Sequence, residues 1–226
     1  VIGWRNSYKK EFDKIYLSWR KGQGSGRHIV GVLEQTQDGR FEFSYDIKAI
    51  EKAKTEGFTP YTEFSDITKS YNGNVLDIFA QRLIKSERPD IQSFYDFWEI
   101  EPQHKDDKFY MLGHTQGLQP TDNFEFLADY NIADGLHFLT ELAGLSTYKL
   151  PSGTLKEGDE LRFELDKKNE YDSEAVTVFK GDLEIGHIKK IHCKVFHKPG
   201  ADKLKLSIKS VDKNGIIKKA FIKVSL

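Results

Sequence analysis

The sequence contains one cysteine, one methionine and six prolines among 226 residues, and it has no long apolar run. A single cysteine, Cys193, excludes an internal disulfide framework and any zinc module built from several cysteines. The apolar runs are only a few residues long, whereas a membrane-spanning helix needs about 20. No secretory leader is recognisable in the sequence. We therefore expect a soluble, cytoplasmic protein without a membrane partner.

Charge of one sign is also lacking overall, because 34 basic and 35 acidic residues give a net charge of -1. The balance is uneven along the chain. Residues 1–130 carry 17 basic and 21 acidic residues, whereas residues 131–226 carry 17 and 14. Residues 180–226 contain 12 lysines, no arginine and four acidic residues. Two interpretations stay open: a phosphate-binding face, or solvated lysines that discourage aggregation of strand edges.

The first half of the chain has the pattern of a small antiparallel sheet with short helices. Alternating apolar residues predict strands at residues 15–20, 28–33, 40–45 and 123–127. Helical spacing predicts helices at residues 47–56, 75–84, 91–98 and 107–112. Asp46 is placed to cap the first helix, and Gly113 is predicted to end the last one.

The second half has the pattern of a mainly-β domain. Short strands are predicted at residues 137–145, 160–165, 175–179, 184–188, 204–211 and 216–224, with a helical turn at 189–196. The Asn-Gly of Lys213-Asn214-Gly215 predicts a tight hairpin between the last two strands. We therefore predict an α+β domain at residues 1–131, followed by an OB-like barrel at residues 132–226.

Patterns of catalytic and metal sites are absent from the sequence. The glycine-rich loop at residues 21–27 lies between two predicted strands and lacks the Lys-Ser/Thr of a phosphate-binding loop. His187, His192 and His197 recur every five residues, a spacing that does not place them on one helix face. We predict no catalytic residue, no metal and no cofactor, and therefore a protein that is not an enzyme.

One group of residues has the chemistry of a nucleotide pocket. Tyr171 and Asp172 lie on a loop that opens a predicted strand, and His187 and Lys190 lie just past the end of the next strand. Tyr171 could stack on a base, Asp172 could hold a sugar hydroxyl, and His187 and Lys190 could contact phosphates. The alternative interpretation is a plain turn flanked by solvated lysines.

The run Asn-Glu-Tyr-Asp-Ser-Glu-Ala-Val-Thr-Val at residues 169–178, followed by Gly-His-Ile-Lys-Lys at 186–190, resembles the HIRAN domain. The resemblance covers about residues 133–226. It implies an OB-like barrel that binds single-stranded DNA at its 3′-hydroxyl end, without a cofactor. Where the family has Gly-Leu followed by Arg-Tyr, this chain has Gly144-Leu145, then Ser146-Thr147 and only then Tyr148. The residues expected at the nucleic-acid interface are Tyr148, Asn169, Tyr171, Asp172, His187, Lys189 and Lys190.

The first half resembles the N-terminal subdomain of HipA-type kinases. The resemblance rests on Val30-Gly31-Val32-Leu33 and on Gly39-Arg40-Phe41-Glu42-Phe43-Ser44-Tyr45-Asp46. Bacterial HIRAN proteins often carry such a region, and the long catalytic part of the kinases does not follow it here. In some toxin–antitoxin systems a detached copy of this subdomain restrains the kinase. The alternative function is therefore that of an antitoxin or regulatory subunit, which binds a separately encoded HipA-like kinase through residues 12–130.

Overall fold

The computed structural model describes residues 10–22, 24–169, 172–212 and 215–226. The chain divides into two compact units. Asp13–Asp129 form one of them, here called the sheet unit. Residues 10–12 group with residues 130–226 in the other, here called the barrel unit. No helix in the described part of the chain combines the length and the apolar character that a bilayer span requires.

The sheet unit is built on an antiparallel sheet with the strand order β4-β3-β2-β1-β5. Its strands are β1 (Lys14–Trp19), β2 (His28–Gln35), β3 (Phe41–Tyr45), β4 (Ser70–Asn72) and β5 (Phe124–Ala128). Its helices are α1 (Ile47–Thr55), α2 (Val75–Ala80), α3 (Ile91–Trp98) and α4 (Lys108–Thr115), with 3₁₀ turns at Thr62–Phe64 and Pro102–His104. The predicted α+β architecture is confirmed.

The core of the sheet unit lies on the face of the sheet that the alternating apolar residues share. Ile15, Leu33 and Phe43 are directly opposite one another on β1, β2 and β3, and each is at most 1% exposed. Because residues paired across strands point to the same face, they form one apolar column. The Phe43 ring lies 5.0 Å from the ring of Phe79 on α2, so this column packs against the helices.

Helix boundaries in the sheet unit partly follow the local signals. Asp46 caps α1 as predicted, because its carboxylate accepts a hydrogen bond from the backbone N–H of Ala49 at 3.0 Å. The prediction that Gly113 ends α4 is wrong. Gly113 is buried inside the helix, and the left-handed residue that ends it is Gln116, with φ of 60°. Burial of the whole α4 turn outweighs the helix-breaking tendency of one glycine. The short edge strand β4 carries no clear sequence signal.

The barrel unit contains a closed, antiparallel six-stranded barrel with the strand order β10-β11-β6-β9-β8-β7. Its strands are β6 (His137–Ala143), β7 (Glu160–Leu165), β8 (Val176–Lys180), β9 (Leu183–Ile188), β10 (Lys205–Val211) and β11 (Ala220–Ser225). The helical turn α5 (Leu145–Tyr148) follows β6, and 3₁₀ segments lie at His192–His197 and Ala201–Lys203. The predicted OB-like barrel is confirmed.

Two details of the barrel differ from the sequence prediction. The last strand begins at Ala220, later than predicted, and the preceding Ile216 makes only an isolated bridge with Pro151. The predicted hairpin turn involves Lys213 and Asn214, which lie outside the described residues. The predicted helical turn at 189–196 is confirmed as the 3₁₀ segment, which buries Cys193, Val195 and Phe196 among other residues.

Candidate nucleic-acid interface

His187 lies inside β9, at the centre of the sheet that β6, β8 and β9 form. It is directly opposite Ala143 of β6 and Thr177 of β8, so its side chain shares a face with both. The strand predicted at residues 184–188 is confirmed as β9, whereas the description of His187 as lying just past the end of that strand is wrong. The strand therefore holds the imidazole, half-buried, in a fixed position on the barrel wall.

Tyr148 stands beside His187. Gly144 ends β6 with φ of 87°, a left-handed conformation that glycine adopts without strain, and the single turn of α5 follows. The Tyr148 ring then lies 6.0 Å from the His187 ring, centroid to centroid. Tyr148 therefore reaches His187 although Ser146 and Thr147 precede it, because the helical turn directs the ring toward the barrel wall.

The hydroxyl of Tyr148 donates a hydrogen bond to a carboxylate oxygen of Glu184, which also lies on β9. Burial raises the pKa of Tyr148 above its ordinary value of 10.0, and the Glu184 hydrogen bond and the Asp166 charge add to that rise. Tyr148 therefore stays protonated at neutral pH and presents a neutral aromatic ring. No motif in the sequence identifies Glu184 as a residue of the site.

The loop between β7 and β8 is organised by three polar side chains. Asn169 donates from Nδ2 to Asp166 Oδ2 at 3.0 Å, and Asn169 Oδ1 accepts from the backbone N–H of Asp172 at 3.0 Å. Asp172 Oδ1 accepts in turn from the backbone N–H of Glu174 at 3.0 Å. Asp172 Oδ2 accepts no hydrogen bond from the described residues, so it can receive one from a ligand.

Strand pairing places this loop beside His187. Leu165 and Val176, which flank the loop, are directly opposite each other, and Thr177 is directly opposite His187, so the loop leaves the barrel next to the imidazole. Within the loop, Asp166 accepts the hydrogen bond from Asn169. The structure thus brings Tyr148, His187, Asn169 and Asp172 to one side of the barrel unit. Tyr171 lies outside the described residues. Asp166 escaped the sequence prediction, although its position at the end of a strand is where turn-forming aspartates are common.

The two adjacent lysines at the end of β9 have different environments. Lys190 is exposed and makes no ion pair with any described residue. Lys189 has a side chain with 0% exposure, and its Nζ lies 3.4 Å from Glu141 Oε2. A buried ammonium with a carboxylate partner is held in place by that pair, because its removal would leave a buried charge. We therefore leave Lys189 out of the proposed interface and keep Lys190.

The histidines of the 3₁₀ segment His192–His197 have structural contacts. His192 is fully buried, with Nδ1 2.9 Å from Thr140 Oγ1, and His197 Nε2 lies 3.0 Å from the carbonyl oxygen of Glu174. The described residues include no group of three or more His, Cys, Asp or Glu side chains arranged to hold a metal ion. These histidines fix the segment against the barrel and the β7–β8 loop.

The charge around the candidate interface is mixed. Asp166, Asp172 and Glu184 supply carboxylates, whereas the exposed cations are Lys190 and the loop residues Lys167 and Lys168. Carboxylates repel phosphate groups and accept hydrogen bonds from hydroxyl groups. This arrangement therefore suits a ligand that ends in a hydroxyl group and carries its phosphates further back.

Comparison with known proteins finds a family match within the barrel unit. Residues 136–209 match the HIRAN domain. This HIRAN region contains every residue that the sequence assigns to the nucleic-acid interface, from Tyr148 to Lys190. A search of the curated proteins gives no match.

Two solved structures are similar to the chain. One is the HIRAN domain of human HLTF, with 16% identity, a TM-score of 0.33, and coverage of 39% of this chain and 73% of that one. The other is a protein from Lactobacillus plantarum, with 14% identity, a TM-score of 0.31, and coverage of 41% and 95%. These matches do not show the HipA-like resemblance of the first half, which stays a prediction, as does the kinase partner.

Proposed function

We propose that the HIRAN region binds single-stranded DNA at its 3′-hydroxyl end and that the chain acts as a binding protein without catalysis. The observation that carries the proposal is the hydrogen-bonded loop of Asn169 and Asp172, which leaves the barrel next to His187, whose ring lies 6.0 Å from that of Tyr148. An aromatic ring, an imidazole and a carboxylate with an available oxygen thus share one side of the barrel. The match to the HIRAN domain supports the same function.

Each residue has a separate task in this proposal. The ring of Tyr148 offers a face for the terminal base, since base–aromatic stacking contributes about 1–3 kcal/mol per base. Asp172 Oδ2 accepts a hydrogen bond from the 3′-hydroxyl. Lys190, with its exposed ammonium, and His187 contact the phosphates that precede the terminal sugar. The resemblance assigns a second stacking surface to Tyr171.

Selectivity for the end follows from the carboxylate. A 3′-phosphate would place negative charge against Asp172, and it would lack the hydroxyl that donates the hydrogen bond. Both effects weaken the binding of a 3′-phosphate end. A hydrogen bond to a charged acceptor contributes about 1.5–3 kcal/mol, which corresponds to a preference of roughly tenfold or more.

Fluorescence anisotropy with 5′-labelled single strands tests this proposal. The strands share one sequence and end in either a 3′-hydroxyl or a 3′-phosphate. We expect the wild type to prefer the hydroxyl by about tenfold or more, and Asp172→Asn to lose most of that preference. Asparagine keeps an oxygen for the Glu174 N–H, so the loop stays formed. Asp202→Asn, an exposed acid outside the interface, is the matched control and should behave as the wild type.

Two results would contradict the proposal at different levels. Equal affinity of the wild type for both ends would contradict recognition of the 3′-hydroxyl, and only general binding of nucleic acid would then be supported. Absence of binding to any single strand at low salt would overturn the assignment of nucleic acid as the ligand.

A further inference from the structure

The sheet unit contains a cavity of about 430 Å³ that the proposed function does not use. Three segments line it: the chain that follows α2, one side of α3, and the chain that follows α4. Its volume lies in the range of roughly 300–1,000 Å³ that is typical of small-molecule sites. The cavity is therefore large enough to hold a ligand of nucleotide size.

One wall of the cavity is aromatic. Phe94 and Trp98 lie one helical turn apart on α3, and their ring centroids are 6.4 Å apart. Trp98 is 6% exposed and Phe94 is half-buried, so both rings are held by packing and still border the cavity. Two fixed aromatic rings offer a planar ligand contact at little cost in side-chain entropy.

The charged part of the lining is cationic. Arg82, Lys85 and Arg88 border the cavity, and none of the described lining residues is an aspartate or glutamate. Arg82 is committed to the fold: its guanidinium donates to both oxygens of Asp122, at 2.6 and 2.8 Å, and its Nε donates to the Gly117 carbonyl at 2.9 Å. Its charge is thereby neutralised, which leaves Lys85 and Arg88 to meet a ligand.

These two cations line the cavity and are exposed. Lys85 is exposed and makes no ion pair with a described residue. Among the described residues, Arg88 pairs with Asp90 alone, donating from Nε at 2.8 Å and from Nη2 at 2.7 Å, and both side chains are more than half exposed. Because water screens an exposed pair, an anionic phosphate can compete with Asp90 for the guanidinium.

We propose that this cavity binds a nucleotide-sized aromatic phosphate. Its ring lies against Phe94 and Trp98, and its phosphate lies between Lys85 and Arg88. A phosphate monoester carries a charge of about -1.5 to -2 at pH 7, which matches two available cations better than a single carboxylate does. The source of this chemistry is a free nucleotide or the 5′-phosphorylated end of a nucleic acid. The proposal is independent of the 3′-end function, because it concerns the other unit.

Titration calorimetry of the full chain with adenosine monophosphate tests the site. We expect binding that weakens about tenfold or more in Lys85→Ala/Arg88→Ala and for adenosine, which lacks the phosphate. Both substituted side chains are exposed, so the double variant should fold normally. Lys52→Ala/Lys54→Ala, on the exposed face of α1, removes the same charge elsewhere in the sheet unit and should leave binding unchanged. Quenching of tryptophan fluorescence by the nucleotide should disappear in Trp98→Phe.

A second pair of ligands distinguishes the two sources. Single strands with and without a 5′-phosphate share the same 3′ end, so binding of that end in the barrel unit is the same for both. A difference in affinity that depends on Lys85 and Arg88 is therefore assigned to the cavity. A preference for the 5′-phosphate that requires Lys85 and Arg88, without binding of the free nucleotide, assigns the site to nucleic-acid ends. The proposal is overturned if neither ligand binds in a manner that depends on these two side chains.

Discussion

The thiol of Cys193 lies in the interior of the barrel unit and is 1% exposed. Burial raises its pKa from 9.0 to about 12, and the negative charges of Asp172 and Glu174 contribute to the rise. The thiolate is the reactive form of cysteine, so this residue is protected by both its burial and its protonation.

We predict that Cys193 resists alkylation in the folded protein. At pH 8 a thiol with a pKa near 12 is ionised in roughly one molecule in ten thousand, so iodoacetamide should react at least about a hundredfold faster in urea. Mass spectrometry of the alkylated protein gives both rates. Asp172→Asn should raise the rate in the folded state moderately, because it removes one negative charge near the thiol. Equal rates with and without urea would contradict this environment.

The same shift gives a pH dependence of stability. The folded-state pKa of Cys193 is raised above the unfolded value near 9, so the protonated thiol stabilises the folded state fully below pH 9. This contribution is lost as the pH rises from about 9 to about 12. Cys193→Ala should therefore flatten the loss of stability in that alkaline window, measured as the denaturation midpoint in urea against pH.

At the scale of secondary-structure elements, the join between β6 and β9 determines the shape of the candidate interface. Gly186 on β9 has φ of 148°, and a Cβ added there would lie 2.5 Å from the backbone oxygen of Ala143 and 3.0 Å from the Leu142 side chain. Backbone oxygens cannot move aside as a flexible side chain does. The absence of a side chain at position 186 therefore allows the two strands to close the barrel beside His187.

We predict that Gly186→Ala destabilises the barrel unit by about 2–3 kcal/mol or more, because it adds both a steric clash and backbone strain. Gly181→Ala is the matched control in the same β8–β9 hairpin. Its φ of 58° is also positive, but nothing lies within 4 Å of the added Cβ, so we expect a cost of only about 1–2 kcal/mol. Urea denaturation of both variants measures the difference. Equal losses in the two variants would show that the close approach at Gly186 is unimportant.

Strands could be predicted from the sequence because their apolar residues alternate, as on β7, where Leu161, Phe163 and Leu165 are less exposed than the residues between them. Contacts between segments that are distant in the chain could not be predicted in this way. Lys189 and Lys190 are adjacent in sequence, yet only the fold places Glu141 beside the first. Likewise, only the helical turn of α5 brings Tyr148 next to His187 despite the intervening Ser146-Thr147. The cavity of the sheet unit depends on the packing of three separate segments. Local patterns predict elements, whereas burial and pairing depend on the assembled structure.

On the scale of the whole molecule, the net charge of -1 conceals a difference between the two halves. Many of the lysines in residues 180–226 have specific partners. Lys180 bonds to Asp159 at 2.6 Å, Lys198 donates to the carbonyl of Tyr130 at 2.6 Å, and Lys189 is buried with Glu141. Others, such as Lys205 on β10, are exposed. The surplus of lysine is thus partly structural, and its total overstates the cations available to a nucleic acid.

Salt dependence of DNA binding therefore distinguishes a small interface from a broad lysine-rich one. For single strands, the slope of log affinity against log salt is about -0.7 per neutralised phosphate. If Lys190 and the loop residues Lys167 and Lys168 each neutralise one phosphate, we expect a slope of about -2.1. Lys190→Ala should reduce its magnitude by about 0.7, and Lys205→Ala, an equally exposed lysine on β10, should leave it unchanged. A steeper slope that falls with Lys205→Ala and not with Lys190→Ala would move the phosphate contacts to the face formed by β10 and β11. The loop of Asn169 and Asp172 would then lose its role as the place where the strand ends.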